Sequence, residues 1–317
     1  RVANDEPNVR QSTRAKVAEA IADLEYLPDP SARSLASRRS YLIGLLHDNP
    51  SASYLISIQN GALGSSREAG YNLLLHPCDY RDPEIAADIR RMVRRTKVEG
   101  LVLTPPLSDR PGVRELLDEL GLPYVRVAPA DALSPDTSIF TNDVEISAEM
   151  VRYLHSLGHR KIGFIIGHPD HGAVLLRHQG FLQGMQEVQL EVKPEYVAQG
   201  YNSFESGIEC AQELLNLPDR PTAIFASNDE MAAGVIHVAH EMRIDIPGQL
   251  SVAGYDDVPL ARQLWPALTT VRQPMEQMAR SATSLLVQMI KTRQDETEVQ
   301  TTIDGELIIR DSTAPPQ

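Results

Sequence analysis

Two textures alternate along the chain. Short runs that are apolar throughout, at 41–46, 98–103, 124–127, 162–166, 222–226 and 250–255, are separated by longer stretches with apolar residues every three or four positions. The short runs read as strands buried on both faces, and the longer stretches as amphipathic helices. After residue 40 the pattern predicts strand 41–46, helix 56–69 closed by Gly70, and strand 71–75. A helix opened by Pro83 and running through Arg95 comes next, followed by strand 98–103, helix 113–120 and strand 124–127. The series then restarts, with helices over 143–157, 174–186, 204–215 and 229–242 interleaved with strands 162–166, 196–198, 222–226 and 250–255. The expected fold is α/β, with two doubly wound parallel-sheet subdomains in tandem. Residues 274–291 read as one further amphipathic helix, 299–309 as a strand pair turning at Asp304-Gly305, and 311–317 as a frayed tail.

The first forty residues are patterned differently. Pro7 and Asn8 mark a loop, and Ser12 is placed to cap a helix with the stripe Val17, Ile21, Leu24, ending before Pro28. One helix cannot bury its stripe unaided, so residues 1–27 read as the remnant of a small helical head. Residues 31–39 contain no helix breaker and a single large apolar side chain, Leu35, among arginines. Nine residues are too few to hold a helix alone in water, so this segment is expected to order only when docked on a partner; a solvated linker is the simpler alternative.

Charge changes the picture. The chain has 317 residues and a net charge of -13, yet residues 1–40 carry 7 Lys and Arg against 6 Asp and Glu, while the rest carries 23 against 37. Contact with nucleic acid is therefore expected from the first forty residues alone. Cys78 and Cys210 stand singly, which fits a reducing cytoplasm, and neither a secretion signal nor an apolar run long enough for a membrane is read. In open α/β sheets ligands sit beyond the carboxyl ends of the strands, and here those ends carry Asp48, Asn49, His168, Asp170, Asn228, Asp229, Asp256 and Asp257. Carboxylates and amides around a cleft suit a neutral polyhydroxylated ligand, whose hydroxyls each donate and accept. An enzyme is disfavoured: GxxxxGK[ST], HExxH, GxSxG and CxxC are all missing, and the adjacent acidic pairs do not face one another. His168 and His171 form a candidate metal pair without a third ligand nearby.

Several short motifs, in this order, resemble the LacI/GalR family of bacterial transcription regulators. They are Arg1-Val2-Ala3-Asn4 with Thr13-Arg14 and Tyr26-Leu27-Pro28, then Ala32-Arg33-Ser34-Leu35, Leu157-Gly158-His159-Arg160-Lys161-Ile162, and Arg177-His178-Gln179-Gly180-Phe181. Pro221 through Ala232, Ser251 through Asp257 and Leu268 through Pro274 complete the set. The resemblance implies a homodimer with a helix-turn-helix head, a hinge helix, and a periplasmic-binding-protein-like core holding a small effector such as a sugar or nucleobase. It divides the chain into a head remnant (1–27), a hinge helix (28–40), an N-subdomain (41–140 plus 274–297) and a C-subdomain (141–273 plus 298–317). In the hinge it implies operator contacts by Ala32, Arg33, Leu35, Arg38 and Arg39, with Leu35 wedged between base pairs. The first helix of the head and nearly all of the recognition helix would precede Arg1, so this sequence by itself is expected to bind operator weakly.

For the effector the resemblance implies Asp48, Tyr54, Arg177, Asn202, Asn228, Asp256 and Gln273. Alternatives stand beside three of them: a surface ion pair for Arg177, a helix cap for Asn228, and a strand-end cap for Asp256. On an extended strand only one of Asp256 and Asp257 can face the cleft. Asn202 occupies the place of the aromatic that stacks on a sugar in this family, leaving Tyr201 or Phe204 to replace it; Asn142-Asp143 and Ile146 also depart from the family pattern. No cofactor is implied. A periplasmic-type sugar-binding protein without DNA function shares the core and is the rival reading.

Overall fold

The structure is a computed structural model that describes residues 10–23, 37, 39–131, 136–292 and 299–317. It divides into two compact units, Arg1–Tyr41 and Leu42–Gln317. In the first unit, helix α1 (Gln11–Asp23) begins one residue before the expected cap: Arg14 N–H already donates to the Arg10 carbonyl at 2.9 Å, which puts Ser12 inside the first turn. Val17 on its stripe is 37% exposed. Leu24 and the hinge positions Ala32, Arg33, Leu35 and Arg38 lie outside the described residues; at Arg39 the backbone N–H donates to the Ser37 hydroxyl at 3.3 Å.

The second unit contains two six-stranded sheets of the same winding. The first is built from β1 (Leu42–His47), β2 (Asn72–Pro77), β3 (Leu101–Leu103), β4 (Tyr124–Val127), β5 (Ser138–Phe140) and β11 (Gln300–Thr302), in the order β2-β1-β3-β4-β5-β11. The second is built from β6 (Ile162–Ile166), β7 (Val197–Gln199), β8 (Ala223–Ala226), β9 (Ser251–Asp256), β10 (Thr269–Arg272) and β12 (Glu306–Ile308), in the order β7-β6-β8-β9-β10-β12. The strand pairings are parallel apart from β12, which runs antiparallel to β10.

Helices α2 (Ala52–Glu68), α3 (Ile85–Thr96), α4 (Pro111–Glu119) and α10 (Met275–Thr292) flank the first sheet. Helices α5 (Asp143–Ser156), α6 (Gly172–Glu187), α7 (Phe204–Leu215) and α8 (Asp229–Glu241) flank the second, with a short α9 (Pro259–Gln263) after β9. Each layer is closed by apolar side chains: Ile89, Met92, Val113 and Leu117 lie on one face of the first sheet. On the two faces of the second, Leu214, Val235 and Ile236 form one layer and Met150, Phe164 and Phe181 the other. Helix α2 starts four residues earlier than the apolar pattern predicts, because the Ser51 hydroxyl accepts the Tyr54 N–H and caps it.

Two strands, β5 and β10, are not announced by an apolar run. In β10 the buried residues include Thr269 and Thr270, whose hydroxyls are satisfied internally: Thr270 donates to Asp229 at 2.6 Å and Thr269 to the Arg310 carbonyl at 3.2 Å. The expected hairpin at 299–309 does not form. β11 joins the first sheet beside β5 and β12 the second beside β10, and the Asn142 side chain accepts the Gly305 N–H between them at 2.8 Å. Residues 299–302 therefore belong with the N-subdomain. The chain crosses between the two halves three times, at 141–142, 273–274 and 303–305.

Candidate functional site

The loops at the carboxyl ends of strands in both sheets meet at a compartment of about 440 Å³. Six of the seven effector positions line it: Tyr54 from the first turn of α2, Arg177 from α6, Asn202 after β7, Asn228 after β8, Asp256 at the end of β9 and Gln273 after β10. Asp48 does not line it. Its carboxylate accepts the Tyr80 N–H at 2.8 Å, and it borders an adjoining outer chamber.

Arg177 is the centre of the compartment and is buried, not paired at the surface. Its guanidinium donates to Asp143 at 3.1 Å, to the Ser227 carbonyl at 2.6 Å and to the Gln273 side chain at 3.2 Å, and lies 3.7 Å from the centre of the Tyr255 ring. Burial alone would loosen its proton, but the carboxylates of Asp256 and Asp143 outweigh that and raise it above its ordinary range. Tyr255 donates to the same Asp143 oxygen at 2.8 Å. Asp143 opens α5 immediately after the first crossover, and Gln273 sits in the second, so one cation ties both connections together.

Asp256 faces this cation on one side only. Its Oδ1 is 3.5 Å from the guanidinium, an ionic contact too long for a hydrogen bond, and it has no hydrogen-bond partner. Burial first, opposed by Arg177 and assisted by Glu230 and Asp143, raises the Asp256 carboxyl to about 7. The Tyr54 hydroxyl is likewise buried without a partner. An unsatisfied buried polar atom costs about 1–3 kcal/mol; two on one wall are places for a ligand's hydroxyls to bond. His171, on the same wall, is driven down to about 4 by burial, with His168 and Arg177 adding to the effect, and is a neutral ring at physiological pH.

The alternatives for the amide and acid side chains resolve as follows. The Asn228 Oδ1 caps α8 by accepting the Met231 N–H at 2.9 Å, while its amide donates to the Asn202 carbonyl at 3.0 Å. Asn202 adopts φ +61° and its side-chain oxygen accepts the His168 N–H at 3.1 Å. Asp256 and Asp257 do point apart, but through consecutive positive φ angles of 112° and 54° in place of strand alternation. Asp257 turns away to Arg272 at 2.8 Å and Arg310 at 2.5 Å. Phe204 packs its edge on His237 outside the compartment, and Tyr201 stands in the outer chamber.

Residues not singled out by sequence reasoning also shape the site. Ser51 donates to Glu230 across the cleft at 2.6 Å. Tyr80 donates to Asp170 at 2.6 Å, and Arg81 reaches His168 at 2.9 Å, again joining the two halves. Only their places in loops at strand ends could have drawn attention to them. Among the described residues no group of three metal-ligating side chains gathers, so the His168–His171 pair gains no third ligand. No helix among them is long and apolar enough to cross a membrane.

Comparison with known proteins places this architecture. Residues 151–313 match the family model described as a periplasmic binding protein-like domain. The HTH-type transcriptional repressor PurR of Serratia proteamaculans (strain 568) is 34% identical over 295 residues, spanning 92% of this chain and 85% of that protein. Among solved structures, the transcriptional regulator CelR–cellobiose complex superposes with a TM-score of 0.80 at 26% identity, covering 98% of this chain and 94% of that one. The Lac repressor dimer bound to operator and the anti-inducer ONPF, at 24% identity and a TM-score of 0.84 over 99% of this chain and 94% of that one, supports the fold alone. With this fold, and with that identity to a repressor over nearly its whole length, the chain belongs to the LacI/GalR family of effector-responsive transcriptional regulators.

Proposed function

We propose that the cleft takes a small, neutral, polyhydroxylated effector of the sugar class and that its occupancy governs how a cytoplasmic homodimer holds operator DNA through residues 28–40. The observation that carries the reading is the Arg177–Asp256 couple, with an unpartnered carboxylate oxygen facing the Tyr54 hydroxyl's compartment. A bonded guanidinium and a half-satisfied carboxylate offer a donor and an acceptor side by side, the pairing that vicinal hydroxyls complement. Arg177 also contacts both Asp143 and Gln273 at the crossovers, so a ligand pulling on it changes the angle between the halves, and with it the spacing of the two hinges. Coupling of about 1–3 kcal/mol is typical of such linkage and is enough to melt a nine-residue helix. The relatives are repressors, and the reaction chemistry of an enzyme has no couple here.

A thermal-shift screen with sugars tests the site, since a ligand at 100 times its dissociation constant adds about 2.7 kcal/mol of stability. Fluorescence anisotropy with labelled operator, using the chain with its complete head, then reads the coupling: an inducer weakens binding and a corepressor tightens it. A saturating ligand that leaves operator affinity unchanged overturns the reading.

A further inference from the structure

The deep compartment is not the whole of the cleft. It opens, past the shared residues Asn49 and His171, into an outer chamber of about 840 Å³ that is open to solvent. Sites for small ligands commonly span about 300–1,000 Å³, and the deep compartment sits near the lower end of that range. The outer chamber is built as a binding surface. Tyr201 is 49% exposed there, yet its position is fixed: its N–H donates to the Ser206 hydroxyl at 3.0 Å, and its ring makes a T-shaped contact with His168 at 5.7 Å. The next residue, Asn202, holds the left-handed turn that presents it. A half-exposed aromatic is unremarkable on an open surface, but this one is anchored in a chamber continuous with the deep compartment.

The charges around it select among ligands. Asp48, Asp79 and Asp170 surround the chamber, with Arg81 as the cation facing them. Arg81 is already engaged by the Tyr80 hydroxyl at 2.9 Å and by His168 at 2.9 Å. Burial lowers both His168 and His171, so the imidazoles add no positive charge at neutral pH. Three carboxylates against one guanidinium repel a phosphate or carboxylate tail and accept hydroxyl donors.

Building on the sugar reading above, we propose that the effector is a neutral two-ring saccharide or glycoside, with one ring in the deep compartment and the second in the outer chamber against Tyr201. The aromatic face supplies apolar contact for the ring's C–H groups, and the surrounding carboxylates take its hydroxyls. Monosaccharides engage the first compartment only, and sugar phosphates and nucleotides are turned away by the acidic rim.

Isothermal titration of the whole chain tests this with the mono- and disaccharides of glucose, galactose, mannose, xylose and arabinose, together with glucose 6-phosphate. The tightest disaccharide is expected to bind at least tenfold more tightly than either of its constituent sugars. Tyr201→Ala is expected to remove about that tenfold advantage while leaving the monosaccharide constant within twofold, and Tyr201→Phe to retain it. Melting curves of both variants report folding, and Tyr201→Phe, which preserves the ring, keeps the comparison decisive if Tyr201→Ala unfolds. The inference is overturned if a monosaccharide or the sugar phosphate binds tightest, or if Tyr201→Ala weakens one-ring and two-ring ligands equally. Absence of any saccharide binding overturns the sugar reading with it, whereas monosaccharide binding without a disaccharide advantage overturns only the second ring.

Discussion

The raised Asp256 carboxyl makes effector binding a proton-linked reaction with a defined slope. In the unliganded protein Asp256 holds its proton below about pH 7, because burial and the nearby Glu230 and Asp143 outweigh the attraction of Arg177. A ligand hydroxyl donating to Oδ1 needs the carboxylate form, so binding below pH 7 expels a proton. Affinity should therefore fall about tenfold for each unit below 7, or roughly 100-fold between pH 7 and pH 5, and be flat above 7. The other ionisable groups facing the site leave this window clear. His171 titrates near 4, burial raises Tyr54 and Tyr255, and Asp229, pushed well above the ordinary carboxylate range by burial and by Asp256, has its oxygens taken by Thr270 and the Val258 N–H. In Asp256→Asn the slope should vanish, and affinity at pH 8 should drop by the strength of one charged hydrogen bond, about 1.5–3 kcal/mol. Isothermal titration with the tightest saccharide at pH 5, 6, 7 and 8, in buffers of different ionisation heat, measures both the constant and the protons released. An affinity independent of pH in the unmodified protein, or a slope that survives in Asp256→Asn, refutes the reasoning.

Three further outcomes follow from the packing and the cleft contacts. In Gly61→Val the added side chain meets the Glu276 carbonyl, 2.1 Å from where a Cβ would stand; urea midpoints should fall by the equivalent of about 1–3 kcal/mol, and an unchanged midpoint would deny the close approach of α2 and α10. Arg177→Met leaves Asp143 buried without its cation, which should cost about 3–5 kcal/mol in chemical denaturation and abolish saccharide binding; a variant that still binds ligand removes Arg177 from the site. Ser51→Ala deletes the hydroxyl that reaches Glu230 across the cleft, so the unliganded protein should open, seen as a larger radius of gyration in small-angle X-ray scattering, whereas an identical radius shows that this bond does not hold the halves together.

The doubly wound α/β organisation was legible because parallel strands buried on both faces must be apolar throughout, as at 162–166 and 222–226. Strand β10 escaped because Thr269 and Thr270 are buried with their hydroxyls satisfied by groups distant in sequence, which no local pattern records. The supposed hairpin failed for a related reason: Asp304-Gly305 carries the turn chemistry, but the two short strands find better partners in separate sheets. At the cleft, position at a strand end drew attention to Asp256 and Asn228, and the family pattern to Arg177. The pairing of Arg177 with Asp143, 34 residues away, arises only when α5 and α6 pack. Asp48 lies at such an end as well, yet its carboxylate is claimed by the Tyr80 N–H. Strand periodicity separated Asp256 from Asp257 in the right direction by a mechanism that does not operate, since left-handed backbone and the arginines around Asp257 set the two apart.

The threefold crossing of the chain has a consequence for its manufacture. The first sheet receives α10 and its outer strand β11 only from residues 275–302, long after β5 is made at 138–140, and the second sheet waits for β12 at 306–308. A ribosome adding about 5–20 residues per second leaves the first half unfinished for roughly 8–30 s, with the surface that α10 will cover still bare. Neither half is a contiguous piece of the gene, so premature termination anywhere before residue 275 yields two incomplete layers and not one finished domain.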